Sequence, residues 1–424
     1  MKKIFITLLL LPGAFVAHAQ SNTSLMSDKG TFEEFVRNIV ILLMIFMVTS
    51  FILTMIRLFL DNSLKKKAVI WLSGAVNKPI LKLTEEDYNS NGMAQLAVEQ
   101  GPVYQINIDI FNQVQHTITG WPGGKPGADD SQRPERAEPA HKRSIVFSPH
   151  PDDDVISMGG TFIRLVDQGH DVHVAYQTSG NTAVWDDDVL RYMEFAIDFK
   201  QSVGEDTVKL QGIYEDMRKF IDKKLPNQVD TPEIRDVKGF IRKTEAISGA
   251  RFAGLPDSNI HFQALPFYET GKTKKNSVGE EDVRLTMELL QKVKPQQVFT
   301  AGDFADPHGT HVVCFNIVIE ALRRLRKTEA WVNDCWVWMY RGAWQEFPTH
   351  EIEMAVPLSP AEVLRKRNAI FKHQSQKDRP VFPGDDAREF WVRAEDRNRE
   401  TAQNYDKLGM AEYAAMEAFV RYHY

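Results

Sequence analysis

The stretch Ser144–Gly160, SIVFSPHPDDDVISMGG, determines how the rest of the chain is interpreted. A short apolar run ends at a proline, and a histidine and three consecutive aspartates follow before a helix-like apolar pattern begins. Adjacent carboxylates repel one another and are costly to bury, so this cluster needs a partner. A strand that passes directly into a helix is typical of α/β domains, in which ligands bind beyond the carboxyl ends of the strands.

From Arg143 onward, apolar patterns of strand length alternate with patterns of helix length. Such alternation predicts an α/β domain with a largely parallel sheet. Residues 204–230 are expected to be an inserted polar segment, and the tail Ala387–Tyr424 is expected to be mostly helical. The predicted strands are Ile145–Ser148, Val172–Gln177, Asn259–Ala264, Gln297–Ala301 and Cys335–Tyr340. The predicted helices are Val155–Gln168, Val189–Val203, Pro232–Ser248, Glu280–Val293 and His311–Arg326.

Composition narrows the classes of protein that fit this chain. It has 424 residues, a formal net charge of -6 and no basic stripe interleaved with aromatic residues, which argues against a nucleic-acid binder. Its two cysteines, Cys314 and Cys335, are too few for a disulfide framework and favour a reducing compartment. The sequence carries no signal for an oligomeric state.

The N-terminus has the pattern of a membrane protein. Two lysines precede the apolar run Ile4–Val16 and the small residues of AHAQ, which predicts a secretory signal peptide at residues 1–19. A second apolar run, Ile39–Leu60, is long enough to cross a bilayer as a transmembrane helix, and Lys65–Lys67 follow it. We therefore expect a single-pass protein of a bacterial inner membrane, with everything after this helix in the cytoplasm.

Two alternatives to this topology remain open in the sequence. Residues 39–60 also suit a buried core helix, although a charge-free run from Ile39 to Ile56 is more typical of a membrane span. The first apolar segment also suits an uncleaved membrane helix. In that case the part of the chain after residue 60 stays cytoplasmic as long as both helices cross the membrane.

Two less regular regions precede the α/β domain. Residues 61–119 form a poorly defined membrane-proximal segment, with strand-like pieces at Ile80–Leu83 and Val103–Ile110. Residues 120–141 are rich in glycine, proline and charge, and such a composition cannot bury a core. This second region is therefore expected to be a linker or an extended arm.

Two predicted strand ends carry the side chains of a metal site. They are His150, Asp152, Asp153 and Asp154 in one loop and Asp306, His308 and His311 in the other. Imidazole and carboxylate suit zinc, and a catalytic zinc usually keeps three protein ligands and a water. A dication would also offset the repulsion among the aspartates and lower their pKa values.

A purely structural explanation accounts for only part of this pattern. One aspartate before Val155 suits a helix cap, because a carboxylate there accepts from backbone N–H groups and complements the helix dipole. A cap explains neither His150 nor a second histidine-rich loop at another strand end. The two loops together therefore favour a metal site.

The motif His150-Pro151-Asp152-Asp153 after an apolar strand, with a later His308-x-x-His311, resembles the PIG-L (LmbE-like) family. The resemblance covers residues 142–424, with weaker similarities at Arg242-x-x-Glu245-Ala246, Gly254–Asp257 and Met416–Phe419. It implies a Rossmann-like three-layer α/β domain with a mostly parallel sheet. It also implies a zinc-dependent de-N-acetylase whose substrate is an N-acetylglucosamine-type amino sugar, either a small molecule or lipid-linked. Another divalent transition metal would also fit.

The resemblance assigns roles by position. The family's metal ligands fall on His150, Asp153 and His311, its general base on Asp152, and its oxyanion-stabilising histidine on His308. The candidate substrate-binding residues are Arg242 and Asp154, and Asp154 also suits a helix cap or a group beside the ligands. The chain has Asp154 where the family usually has Glu, and Gly309-Thr310 where it usually has Pro-Asp. The implied products are acetate and a free amino sugar.

Other functions remain as alternatives. The segment Thr117–Arg136 is similar to the junction in long bacterial proteins named glucosamine-6-phosphate deaminases, so the domain also suits a deaminase-associated module without deaminase activity. Residues 61–119 are too short for a sugar-phosphate isomerase-type domain, and we do not predict deamination.

A phosphoesterase would normally need more metal ligands than two loops supply. A membrane-anchored sugar-binding module with a relic site should lack at least one key residue, and none is missing.

Overall fold

The computed structural model describes residues 29–127, 139, 141–272, 274–305, 309–342, 345–377, 381 and 386–424, and their side chains except at 29–35 and 51–62. It divides into two compact units, Met1–Ala68 and Val69–Tyr424. Helix α1 occupies Lys29–Val76. The signal peptide predicted at residues 1–19 lies outside the described residues.

The described helices include none that is long and apolar enough to cross a membrane. The transmembrane helix predicted at residues 39–60 falls within α1 and is therefore not supported.

Residues 69–119 are helical, and the strands predicted there are wrong. The helices are α2 (Glu85–Ser90), α3 (Ala94–Gln100) and α4 (Val103–Thr117), and Ile80–Lys82 forms a 3-10 turn. The buried apolar side chains of α4 are three or four residues apart, which is a helical spacing: Val103, Ile106, Ile110 and Val114. They share a hydrophobic cluster with Tyr405 and Met416 of the C-terminal region. This segment is therefore part of the core of the second unit.

The α/β region has the predicted alternation of strands and helices. Its helices are α5 (Asp153–Asp167), α6 (Asp186–Ser202), α7 (Val208–Ile221), α8 (Pro232–Ala253), α9 (Glu280–Val293), α10 (Thr310–Leu325), α11 (Pro360–Ile370) and α12 (Phe390–Lys407). Its strands are β1 (Arg143–Ser148), β2 (Asp171–Tyr176), β3 (Ile260–Phe262), β4 (Gln297–Ala301), β5 (Trp336–Tyr340), β6 (Met354–Leu358) and β7 (Ala415–Tyr422). The predicted polar insertion at 204–230 contains α7, whose apolar face packs with α6 and α8.

The described strands form one seven-stranded sheet in the order β3-β2-β1-β4-β5-β7-β6. The pairs from β3 to β5 are parallel, and β7 is antiparallel to both β5 and β6. The chain moves outward from β1 toward β3 and then returns to the other side of β1 at β4. This topological switch point between β1 and β4 is where doubly wound sheets bind their ligands.

The prediction of a mostly helical tail is correct for α12 and wrong for Ala415–Tyr422, which forms β7. Apolar residues occupy both faces of this strand, because it lies inside the sheet between β5 and β6 and is covered on each side. Such a run lacks the alternating pattern that identifies a half-exposed strand.

The beginning of the predicted linker, residues 120–141, packs on the α/β region. Gln297 Nε2 donates to the backbone oxygen of Pro122 at 2.9 Å. Gly123 lies so close to His170 that a Cβ atom there would be 2.2 Å from its Nε2. Glycine is required at this close approach, so the glycine that suggested a linker serves packing. Residues 128–138 and 140 lie outside the described residues.

Candidate metal centre

The loop that follows β1 is held by hydrogen bonds to its backbone. Ser148 Oγ donates to the backbone oxygen of His150 at 2.6 Å, and Thr178 Oγ1 donates to that of Pro149 at 2.7 Å. Asp152 has a φ of +148°, a conformation that residues other than glycine rarely adopt. Strain of this kind is found mostly at functional sites, where the surrounding contacts maintain it.

Three side chains from the two sides of the switch point converge at the end of the sheet. Asp153 Oδ2 lies 3.1 Å from His150 Nδ1 and 3.3 Å from His311 Nε2. One potential ligand atom from each residue lies within 4.8 Å of the others. His150 comes from the loop after β1, Asp153 from the first turn of α5 and His311 from the first turn of α10. The fold thus brings the three predicted ligands to one point.

The donor set suits a divalent transition metal. Two imidazoles and one carboxylate are ligands that zinc accepts, with room for a water or substrate as the fourth. Although burial acts in the opposite direction, His311 and His150 hold the pKa of Asp153 well below its usual range. Its carboxylate is therefore ionised, which is the state that binds a cation. The His150 side chain remains 23% exposed, so the centre is open on one side.

Asp152, the residue before Asp153, is paired with a buried cation. Arg242 NH2 lies 3.2 Å from Asp152 Oδ1, and the two side chains are 1% and 8% exposed. Burial raises the pKa of Asp152 to about 6, and the nearby Arg242 guanidinium limits the increase. A carboxylate with such a pKa accepts protons far more readily than an exposed aspartate but is still mostly ionised near neutral pH. Asp152 therefore has the properties of a general base.

Asp154 has a different environment from its two neighbours. It is fully buried, and it accepts hydrogen bonds from Ser148 Oγ at 3.2 Å and Tyr176 Oη at 3.1 Å. Burial raises its pKa to about 7. No side chain caps the start of α5, so Asp154 does not serve as the helix cap that the sequence suggested. Asp154 thus ties the loop to Ser148 and Tyr176, and its contact with substrate stays a prediction.

Arg242, one of the two predicted substrate-binding residues, is buried beside Asp152. Its side chain is buried against Asp152, while Glu245, one turn further along α8, accepts hydrogen bonds from Ser375 at 2.7 Å. Arg242 therefore forms an ion pair with Asp152, and its contact with substrate stays a prediction. His308, the predicted oxyanion-stabilising residue, and Asp306 of the same loop lie outside the described residues.

Two residues near the site carried no signal in the sequence. The Tyr268 ring makes an edge contact with His150 at 5.8 Å between centroids, and its hydroxyl forms a 2.8 Å hydrogen bond with Thr182. His373 is buried close to Arg242, and burial lowers its pKa to about 3, so its imidazole is neutral. Both lie in loops far from the two motifs, where no periodic pattern identifies them.

Comparison with known proteins finds a family match and a relative. Residues 145–322 match the family model described as "PIG-L: GlcNAc-PI de-N-acetylase". A glucosamine-6-phosphate deaminase-like protein of Bacteroides thetaiotaomicron is 54% identical over 366 residues. That alignment covers 85% of this chain and 55% of the relative, so the chain spans about half of the relative's length.

Two solved structures are also among the matches. The N,N'-diacetylchitobiose deacetylase of Pyrococcus horikoshii is 20% identical, with a TM-score of 0.40, over 66% of this chain and 84% of that chain. The 4-carboxy-2-hydroxymuconate hydratase GalB of Pseudomonas putida KT2440 is 16% identical, with a TM-score of 0.42, over 67% and 97%. Likenesses of this size do not distinguish one reaction from another.

Proposed function

We propose, from the premise that residues 145–322 form a domain of the PIG-L family, that this protein hydrolyses the N-acetyl group of an N-acetylglucosamine-type amino sugar. The observation that carries the proposal is the placement of Asp152. This buried carboxylate, paired with Arg242 at 3.2 Å, directly precedes Asp153, where the three candidate metal ligands converge. A proton acceptor beside a cation site is the arrangement that hydrolysis of an unactivated amide requires.

We propose that zinc, or another divalent transition metal, is held by His150, Asp153 and His311. When bound, such an ion supplies Lewis-acid chemistry by making water more acidic and polarising an amide carbonyl. The protein contributes the ligand geometry through the ends of β1 and β4, which lie next to each other in the sheet. The exposed side of His150 leaves access for the acetamide.

The protonation steps are assigned to two residues. Asp152 takes a proton from the attacking water, and Arg242 keeps this carboxylate oriented and ionised near neutral pH. His308, in protonated form, is proposed to stabilise the negative charge that develops on the acetamide oxygen. The leaving amine takes its proton from Asp152 or His308. The C–N bond of the amide breaks, and acetate and a free amino sugar are released.

The name of the Bacteroides relative would suggest deamination, which we do not propose. Residues 69–119, which precede the α/β region, form helices that pack into the core of that region and add no deaminase domain to it. A relic site without activity is a weaker candidate, because His150, Asp152, Asp153 and His311 are all present.

The location at a bacterial inner membrane stays a prediction, and separation of soluble and membrane fractions tests it.

The proposal is tested by metal analysis of the purified protein together with acetate release. We expect about one equivalent of metal per chain, and acetate release from an N-acetylglucosamine derivative that stops when a chelator removes the metal. The substrates compared are N-acetylglucosamine, its 6-phosphate and lipid-linked N-acetylglucosamine. Tight metal binding without acetate release from any of them would contradict the proposed reaction.

A further inference from the structure

A cavity of about 210 Å³ opens beside the loop that carries the proposed base. Pro151, which joins His150 to Asp152, forms part of its wall. The other walls come from the ends of β2 and β3 and from one face of α8. By volume the cavity would hold about seven waters, which is close to the space that one sugar ring occupies.

Two cations on α8 line this cavity. Arg235 and Lys243 are eight residues apart, which separates their Cα atoms by about 12 Å along the helix. Among the described residues, neither has a carboxylate oxygen within 4.0 Å of its charged nitrogens. In contrast, other cations of the same helix are ion-paired: Lys238 with Asp186 and Asp230, Arg242 with Asp152, and Arg251 with Asp257.

The acidic residues at the cavity, Glu269 and Asp236, form no ion pair with these cations. Both carboxylate oxygens of Glu269 accept hydrogen bonds from Ser179, one from its backbone nitrogen and one from its hydroxyl, each at 2.8 Å. Asp236 is exposed to solvent, where water screens its charge. An anionic ligand would therefore have no ion pair of Arg235 or Lys243 to break.

The Arg235 side chain is held in place by the loop that follows Glu269. Its NH1 group donates to the backbone oxygen of Glu269 at 3.4 Å. Gly271 has a φ of +72°, and a Cβ atom there would lie 2.5 Å from Arg235 Cδ. Only glycine combines this conformation with this close approach. The loop thus fixes the long arginine stem and lowers the entropy cost of binding an anion.

A third cation lies near the metal centre. The ammonium group of Lys275 lies 3.6 Å from the centroid of the Tyr268 ring, and the same ring contacts His150. The cavity also offers the exposed apolar ring of Phe240 for the carbon face of a sugar, while the Lys243 ammonium lies 5.1 Å from the centroid of the Phe262 ring. A ligand there meets polar groups, an aromatic face and two cations that have no ion pair among the described residues.

We infer that the substrate is a single-ring N-acetylated amino sugar that carries a phosphate group, and that Arg235 binds the phosphate with Lys243 as a second cation. This inference rests on the proposed function and names the substrate class of the same site. A guanidinium group binds phosphate through two parallel hydrogen bonds, which makes Arg235 the dominant contact. A free sugar phosphate and a lipid-linked sugar with a phosphodiester share this chemistry.

The test compares Arg235→Gln with the wild type in full-length, metal-loaded protein. Arg251→Gln is the matched control, because it removes one positive charge from the same helix at a residue that does not line the cavity. For N-acetylglucosamine 6-phosphate we expect Arg235→Gln to lower kcat/KM on the order of 10- to 100-fold, mainly through KM. For unphosphorylated N-acetylglucosamine we expect an unchanged kcat/KM, and Arg251→Gln should change neither value.

Parallel assays with the free 6-phosphate and with a lipid-linked phosphodiester identify the source of the phosphate, since the natural form should show the larger loss in Arg235→Gln. An equal loss for phosphorylated and unphosphorylated sugars, or no loss for either, would overturn the inference. If the wild type releases acetate from none of them, the proposed function fails. In that case, calorimetric titration with N-acetylglucosamine 6-phosphate decides the inference. Binding by the wild type that is lost in Arg235→Gln supports it. Equal affinity of the two proteins, or no binding by the wild type, overturns it.

Discussion

Arg242 NH2 lies 3.2 Å from Asp152 Oδ1, inside the protein, although the two residues are ninety positions apart in the chain. This contact separates the roles of two consecutive aspartates. Asp152 faces a guanidinium group and is available for proton transfer, whereas Asp153 faces two imidazoles and is available for a metal. Adjacent carboxylates are tolerated because each has its own positive or cation-binding partner.

Asp152→Asn should reduce kcat by about 10²- to 10⁴-fold, because an amide cannot accept the proton from water. The three proposed ligands are unchanged, so the metal content should stay close to that of the wild type. Acetate release and elemental analysis of the same sample measure both quantities. Loss of metal together with activity would contradict the separation of roles between Asp152 and Asp153.

Arg242→Met should shift the pH dependence of the reaction. The guanidinium lowers the pKa of Asp152, so its removal should raise that pKa above the value of about 6. The base works only when ionised, and the acidic limb of the kcat/KM profile should therefore move to higher pH. Arg242→Lys keeps the charge and should show the smaller shift. An unchanged acidic limb in Arg242→Met would show that Asp152 is not the titrating group.

Asp153→Ala and His311→Ala should each weaken metal binding by removing one of the three proposed ligands. Metal content after dialysis against a mild chelator is the measurement. His261→Ala serves as the control, since His261 stacks on His173 with ring centroids 5.2 Å apart and takes no part in the cluster. Full metal retention in both ligand variants would place the metal elsewhere.

The buried ion pair between Lys366 and Glu417 should contribute strongly to stability. Lys366 Nζ lies 2.7 Å from Glu417 Oε1, and the side chains are 1% and 0% exposed. Glu417 also accepts hydrogen bonds from the backbone nitrogens of Gly160 and Thr161 in α5. Lys366→Met leaves a buried carboxylate without its cation and should lower the free energy of unfolding by about 3–5 kcal/mol.

The matched control for this pair is Arg365→Met. Arg365 pairs with Asp167 at 2.5 Å, but the two side chains are 44% and 49% exposed, so water screens the interaction. The loss there should be at most about 1 kcal/mol. Urea unfolding of both variants makes the comparison, and equal losses would show that burial does not determine the strength of these pairs.

The alternation of strands and helices after Arg143 was predictable because each element carries its own periodicity. β4 and α9 have the predicted limits, and the other predicted elements shift by a few residues at their ends. The strands predicted at Ile80–Leu83 and Val103–Ile110 are wrong, because short apolar runs fit both periods when the helical spacing continues beyond them. β7 was missed because a strand covered on both faces shows no alternation.

The sequence by itself determined the α/β class and the two loops that hold His150, Asp153 and His311, because a strand end with histidine and aspartate is a local pattern. Only the tertiary structure decided which partner each aspartate has, that Arg242 pairs with Asp152, and that Arg235 and Lys243 line a cavity without a carboxylate partner among the described residues. These relationships join residues that are far apart in the chain. Burial and the distance between charges set their chemistry, and both quantities exist only after the chain has folded.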